Sequence, residues 1–262
     1  MRNNSSRRTR AIAVSREPSS ALERAREDDA LVSELARISE RRVAVVRHAR
    51  PSVRESLRAT GLREYFARAP AFERRCVLGA DASAEEARAA LLADVPDAAA
   101  LGEDIAAVIR AFAAVVPREA NEKVLVSLSL LRETLCSRYH VDHTSARCMV
   151  SYFGAGTEFL DERTSAVIAA ANANGGNVVS DALKKFAETF ATPISVDECD
   201  VCLLKGERWR YLDDGSTSRG KGIVHRSPNI DPSLDEWRLT LKLDVESFGA
   251  PCACGHEHDP SF

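Results

Sequence analysis

The densest chemical text in this chain is CSRYHVDHTSARCMVSYFGAGTEFL, residues 136–160. Within it His140 and Asp142 stand two apart. In an extended strand such residues share a face ~7 Å apart along the chain, the reach at which an imidazole and a carboxylate grip one ion. A third ligand must come from elsewhere. GIVHRSP, residues 222–228, supplies His225 at the end of a strand-like run. Two histidines and one carboxylate on one side of a metal leave the opposite positions open for substrate and oxygen, as in non-haem iron oxygenases. The same three ligands suit zinc, with water in the open position as nucleophile. H-x-D alone is a common accident, and the plain alternative is a surface pair beside an unrelated core histidine. His143 is a spare imidazole, at odd spacing from the pair and so on the other face of a continuing strand.

A second constellation is EWRLTLKLD, residues 236–244. Arg238 and Thr240 share one strand face, and Leu239, Leu241 and Leu243 share the other. An arginine facing inward beside a hydroxyl can anchor a carboxylate through a bidentate contact, whereas plain metal storage needs no such anchor. Arg147 and Tyr152, on the strand after the pair, are further candidates for contacts to a bound organic group. Glu158 is the only nearby acid able to serve a zinc hydrolase as general base, and Glu158 and Glu207 otherwise read as turn or surface acids. The tail CACGHEH carries Cys252, Cys254, His256 and His258, four donors for a secondary, labile zinc or copper site. Cys199 and Cys202 form a C-x-x-C, but one that leads into a strand rather than a helical redox turn.

These groups need elements to position them. From about residue 20 to residue 118 Ala, Leu, Arg and Glu dominate, a helical composition. Ser83 and Glu86 form a capping-box pattern opening a helix that should run to Val95, before Pro96. Leu101, Ile105, Val108, Ile109, Phe112 and Val116 place one apolar stripe on the next helix. Arg42 to Val46 reads as an isolated strand, and His48 and Cys76 as single structural residues. From about residue 121 the pattern changes. Strand-like runs at 124–131, 135–142, 147–153, 201–204, 222–225 and 237–245, separated by turn-rich pieces, predict a sandwich or closed antiparallel barrel. A helical insert at about 161–190 interrupts them. The expected organisation is a disordered basic arm at 1–20, a mainly helical supporting region at 21–120, a β-barrel-like metal-binding domain at 121–247 and a flexible Cys/His tail at 248–262.

Composition narrows the setting. The chain has 262 residues, 45% apolar, with a formal net charge of −3. That argues against wholesale disorder and gives no general case for a nucleic-acid or membrane partner. The apolar runs fall far short of a membrane span. Residues 1–16 hold five arginines and no acid, with no long apolar segment after them, so a signal peptide is not expected. Seven cysteines, unevenly spaced, fit a reducing compartment, and the expected location is cytoplasmic.

The order of H-x-D, a distant histidine, and an arginine followed at plus two by a hydroxyl resembles the iron(II)/2-oxoglutarate-dependent oxygenase superfamily. That resemblance implies His140, Asp142 and His225 as ligands of Fe(II), and Arg238 with Thr240 as the anchor of the distal carboxylate of 2-oxoglutarate. It also implies an α+β fold, an N-terminal helical region followed by a double-stranded β-helix (jelly-roll, cupin-like) domain. Here ECDVCLLKG, residues 198–206, has Cys199 where glycine is usual in that superfamily, and the spacing from His225 to Arg238 is slightly long. At closer range the sequence is similar to the bacterial family known as domain of unknown function 1826. The similarity lies in C-x-x-x-H-V-D-H at 136–143, Y-x-G-x-G-T-E-x-L at 152–160, L-L-K-G-E-x-W at 203–209, V-H-R-S-P at 224–228 and R-L-T-L-x-L-D at 238–244. The alternative expectation is a Zn(II)-binding or metal-homeostasis protein without oxidative chemistry, and the third a zinc hydrolase. The substrate and the oligomeric state are not legible.

Overall fold

The computed structural model describes residues 17–117, 123–171, 179–211, 214–216, 218 and 222–245. The Cys252, Cys254, His256 and His258 tail lies outside the described residues, as do residues 1–16 of the basic arm.

The N-terminal region contributes α1 (Glu17–Ala36), β1 (Val45–His48), α2 (Pro51–Arg58), α3 (Leu62–Arg68), β2 (Phe72–Leu78), α4 (Ala84–Leu91) and α5 (Ala99–Val115). Residues 17–20, expected in the arm, are therefore already helical. Ser83 caps α4 as the sequence predicts: its hydroxyl accepts from the Glu86 amide, and the Glu86 carboxylate accepts from the Ser83 amide. The helix ends at Leu91 rather than at Val95. Arg74 takes the Leu91 carbonyl at 2.8 Å and pairs with Asp94, drawing the chain out of helical register. α5 is buried on nearly every side, because it lies between other helices and the sheet.

The remaining elements are β3 (Val124–Leu131), β4 (Ala146–Phe153), β5 (Glu158–Phe159), α6 (Glu162–Ala171), α7 (Asp181–Phe190), β6 (Ile194–Ser195), β7 (Val201–Lys205), β8 (His225–Arg226) and β9 (Arg238–Val245). They build two antiparallel sheets, of order β1-β7-β4-β9-β3-β2 and β6-β5-β8. The fold is a mixture of helices and antiparallel sheet. β1 is not isolated, since it pairs with β7 from Val45↔Leu204 to His48↔Val201. β2 went unseen in the sequence because FERRCVL, on an edge, carries three consecutive charges, Glu73, Arg74 and Arg75, that break any alternation. It nonetheless pairs with β3 along its whole length.

One face of the six-stranded sheet, with Val126, Leu128, Cys148, Val150, Leu203, Leu241 and Leu243, joins the helices in a single large core. On the other face, Met149, Cys202 and Leu204 pack against Phe159, Val196 and Ile223, so β7 and β4 are backed by the small sheet. A third cluster holds Ile168 of α6 and Ala187 of α7 against Tyr139, Val141, Leu160 and Val224. The layers are thus helices, large sheet, small sheet and an outer helix pair. Two glycines of the Y-x-G-x-G motif let the strand ends close. A Cβ on Gly154 (φ 82°) would stand 2.1 Å from the Trp237 carbonyl, and one on Gly156 would stand 1.9 Å from the Val196 carbonyl.

Candidate metal centre

Residues 135–142 were expected to be a strand, and they are not a regular one. The segment is tied down piecewise instead. The Cys136 carbonyl accepts from Ser227, the Tyr139 carbonyl accepts from Val179, and His140 and His225 exchange both backbone hydrogen bonds at 3.0 Å as a lone bridge. That bridge brings the two histidines side by side, with ring centroids 4.4 Å apart.

Asp142 completes the group. One donor atom from each of His140, Asp142 and His225 lies within 4.8 Å of the others, and all three residues are buried. The Nε2 atoms approach the carboxylate at 3.7 Å for His140 and 3.3 Å for His225. Each Nδ1 donates to a backbone carbonyl, that of Arg138 at 2.9 Å and that of Ile223 at 3.2 Å. This leaves Nε2 unprotonated in the neutral ring and aimed at Asp142, the tautomer that a metal-ligating histidine needs. Asp142 Oδ2 is buried without a hydrogen-bond partner, an orphan that calls for an explanation. The donor set and the orphaned oxygen fit a divalent cation.

Arg147 holds the carboxylate. Its Nη1 donates to Asp142 Oδ1 at 2.5 Å, and its Nε and Nη2 fork onto Asp244. Burial alone would raise the Asp142 carboxyl. The Arg147 guanidinium overrides it and holds the group well below the usual carboxylate range. Arg147 thus sits beside the metal candidates, occupied by two acids rather than free for an organic ligand.

The register places several other polar side chains on the same face of the large sheet. Cys148 and Val150 lie opposite Leu243 and Leu241 on the core side, so the intervening pairs, Met149 with Lys242 and Ser151 with Thr240, point toward the small sheet. Arg238 follows Thr240 at plus two in reverse and is fully buried. Its Nη2 donates to Ser151 at 2.9 Å and to the Thr240 hydroxyl at 3.2 Å, and its Nε has no partner. No carboxylate pairs with it among the described residues. Burial without a countercharge lowers its pKa to about 10.

Tyr152 is not part of this site. Like Cys148 and Val150 it lies on the helix-facing side of β4, where its hydroxyl donates to Asp104 of α5 at 2.8 Å. Asp104 is in turn paired with buried Arg50. Glu158, the candidate general base, is paired with Arg226 at 2.7 Å. His143 is bound to Glu207 and Arg208 near the surface. Cys199 and Cys202 are buried thiols, both pushed up to about 12 mainly by desolvation, which makes them poor nucleophiles.

Asp244, Ser151, Ser127 and Lys242 were missed in the sequence. The signal for Asp244 and Lys242 was present: in RLTLKLD the period of two that groups Arg238 with Thr240 also groups Lys242 and Asp244 with them.

Comparison with curated proteins finds no sequence match. Among solved structures, the chain is similar to a prolyl-4-hydroxylase from Pseudomonas putida, at 10% identity over 82% of this chain and 97% of that one, with a TM-score of 0.39. It is also similar to the Fe(II)/α-ketoglutarate-dependent dioxygenase TqaL, at 10% identity over 88% of this chain and 90% of that one, with a TM-score of 0.45. Identities and TM-scores this low leave the functional reading to the chain's own residues. Residues 29–244 match the family described as protein of unknown function (DUF1826), and that match spans most of the sequence: the chain belongs to the DUF1826 family.

Proposed function

We propose that this protein is a metal-dependent oxygenase in which His140, Asp142 and His225 hold Fe(II) and Arg238 with Thr240 anchors the distal carboxylate of 2-oxoglutarate. The observation that carries the reading is the buried Arg238 guanidinium. It has only hydroxyl partners and faces the same inter-sheet space as the orphaned Asp142 oxygen. An uncompensated buried cation is costly, and an incoming carboxylate offsets that cost. A protein that only stores zinc has no use for it.

The strand orders support the same reading. Two antiparallel sheets face each other, and the third ligand comes from a short strand of the small one. We read this as a double-stranded β-helix with the helices of residues 162–190 inserted.

Dioxygen would be the oxidant, and bound Fe(II) with 2-oxoglutarate would supply its activation, 2-oxoglutarate giving two of the electrons. The chain's own residues do the rest. The two Nδ1–H to carbonyl bonds fix the imidazole planes, and Arg147 keeps Asp142 ionised and directed toward Nε2 of both histidines. Ser151 and Thr240 orient the Arg238 fork. Phe159, Ile223 and Met149, packed between the sheets, exclude water from the space beside the site.

The test is anaerobic titration of the purified protein with Fe(II), with and without 2-oxoglutarate. A visible charge-transfer band that requires both components, and is lost on Arg238→Met, is expected. A protein that binds the metal but gives no band and shows no affinity for 2-oxoglutarate would overturn the oxygenase reading and leave the zinc-binding one.

A further inference from the structure

The inward face of the large sheet carries one cation more than the proposed site uses. Along β9, Arg238, Thr240, Lys242 and Asp244 share that face. Asp244 and Asp142 are both ion-paired with Arg147. Arg238 is assigned above to a carboxylate. Lys242 remains, directly opposite Met149 on β4 and Ser127 on β3. Among the described residues no carboxylate, carbonyl or hydroxyl pairs with its ammonium. The nearest acids are engaged elsewhere, Asp244 with Arg147 and Glu73 with Arg75. Lys242 is half-buried, and this loss of water lowers its pKa, with Arg147 adding to the effect. Beside it the Ser127 hydroxyl is buried and has no hydrogen-bond partner.

An unpaired ammonium and an unpaired hydroxyl, facing each other across adjacent strands, form a donor pair without an acceptor. Both face the side on which the metal candidates lie. Their Cα atoms stand ~5 Å apart as cross-strand partners, so one anionic group can receive a hydrogen bond from each. Arg238 is four residues away on the same strand, ~14 Å along it, so one small anion cannot satisfy both cations. If 2-oxoglutarate uses its two carboxylates on Arg238 and the metal, Lys242 still lacks a countercharge.

We propose that Lys242 and Ser127 form a second anion subsite, and that the substrate oxidised here is acidic, seating a carboxylate or phosphate group on that pair. This assignment of substrate class rests on the oxygenase reading, while the subsite itself does not.

The test uses Zn(II)-loaded protein whose lysines carry isotope-labelled methyl groups, with the Lys242 resonance identified by its absence in Lys242→Arg. Acetate and inorganic phosphate are titrated at constant ionic strength, with and without saturating 2-oxoglutarate. The Lys242 resonance is expected to move and saturate with at least one of the two anions while 2-oxoglutarate is bound, and the anion that acts indicates carboxylate or phosphate. Calorimetry on Lys242→Gln should show binding of that anion weakened by about tenfold or more, the loss of one charge-assisted hydrogen bond, with 2-oxoglutarate affinity retained. A Lys242 resonance that answers neither anion overturns the proposal, and does so on the wild-type side chain even if the variant fails to fold. Loss of 2-oxoglutarate affinity in Lys242→Gln equal to that in Arg238→Met also overturns it, by placing Lys242 in the co-substrate site. Should 2-oxoglutarate not bind while Lys242 answers acetate, the oxygenase reading falls and the subsite stands.

Discussion

Arg147 is the residue on which the site's electrostatics turn. It is the one cation in contact with both Asp142 and Asp244 among the described residues, and all three side chains are largely removed from water. Arg147→Met would leave two carboxylates without their partner. Breaking a buried pair in this way typically costs about 3–5 kcal/mol, and the freed carboxylates would take up protons to escape their charge. The expected outcome is a large fall in thermal stability in the metal-free protein, partly recovered by added divalent metal, read by calorimetry in both states. A change confined to substrate affinity would mean that Arg147 contacts the ligand rather than Asp142. Residue types and spacing brought out His140, Asp142 and His225, because ligand chemistry is written in side-chain identity. The inward face of Asp244 was legible in the period of RLTLKLD, but its pairing with Arg147 depends on cross-strand register, which is not visible in one strand alone.

At the scale of elements, β4 divides function from support by the alternation of its side chains. Up to Ser151 its odd-numbered residues face the small sheet. Its even-numbered residues, Cys148, Val150 and Tyr152, face the helical layer, where Tyr152 meets Asp104 and through it Arg50. Tyr152 stands at odd spacing from Arg147, so the two cannot share a face of one regular strand, and that signal of parity was present in the sequence. Tyr152→Phe removes a donor from a buried carboxylate, which should cost about 1–3 kcal/mol and leave metal affinity unchanged; weaker metal binding at unaltered stability would contradict this placement. Where local chemistry decides an element, the sequence was more legible. The Ser83–Glu86 capping box lies where its pattern predicts, while the end of the same helix was set by Arg74, a side chain of the preceding strand β2. Cys199 is a further case: it stands where the oxygenase superfamily that the sequence resembles has glycine, and it adopts φ 66°, the conformation that glycine takes without cost.

For the whole molecule, the change in sequence pattern near residue 120 does not divide the core. β1 and β2 from the N-terminal region form the two ends of the large sheet, and the helices share one apolar cluster with the strands that follow. A fragment spanning residues 121–247 is therefore expected not to fold by itself, showing neither a cooperative thermal transition nor tight metal binding; a folded fragment would restore the N-terminal region to a separate supporting domain. Among the described residues no helix is long and apolar enough to cross a membrane. The account depends most directly on one ion bound between the two sheets. The decisive measurement is the stoichiometry and affinity of divalent metal in metal-depleted protein truncated after Val245, so that the Cys/His tail contributes no ligand. One equivalent per chain, lost in each of His140→Ala, Asp142→Ala and His225→Ala with the fold retained by circular dichroism, is the predicted result. A folded protein that binds no metal, or binds it equally well without these three side chains, would contradict the account.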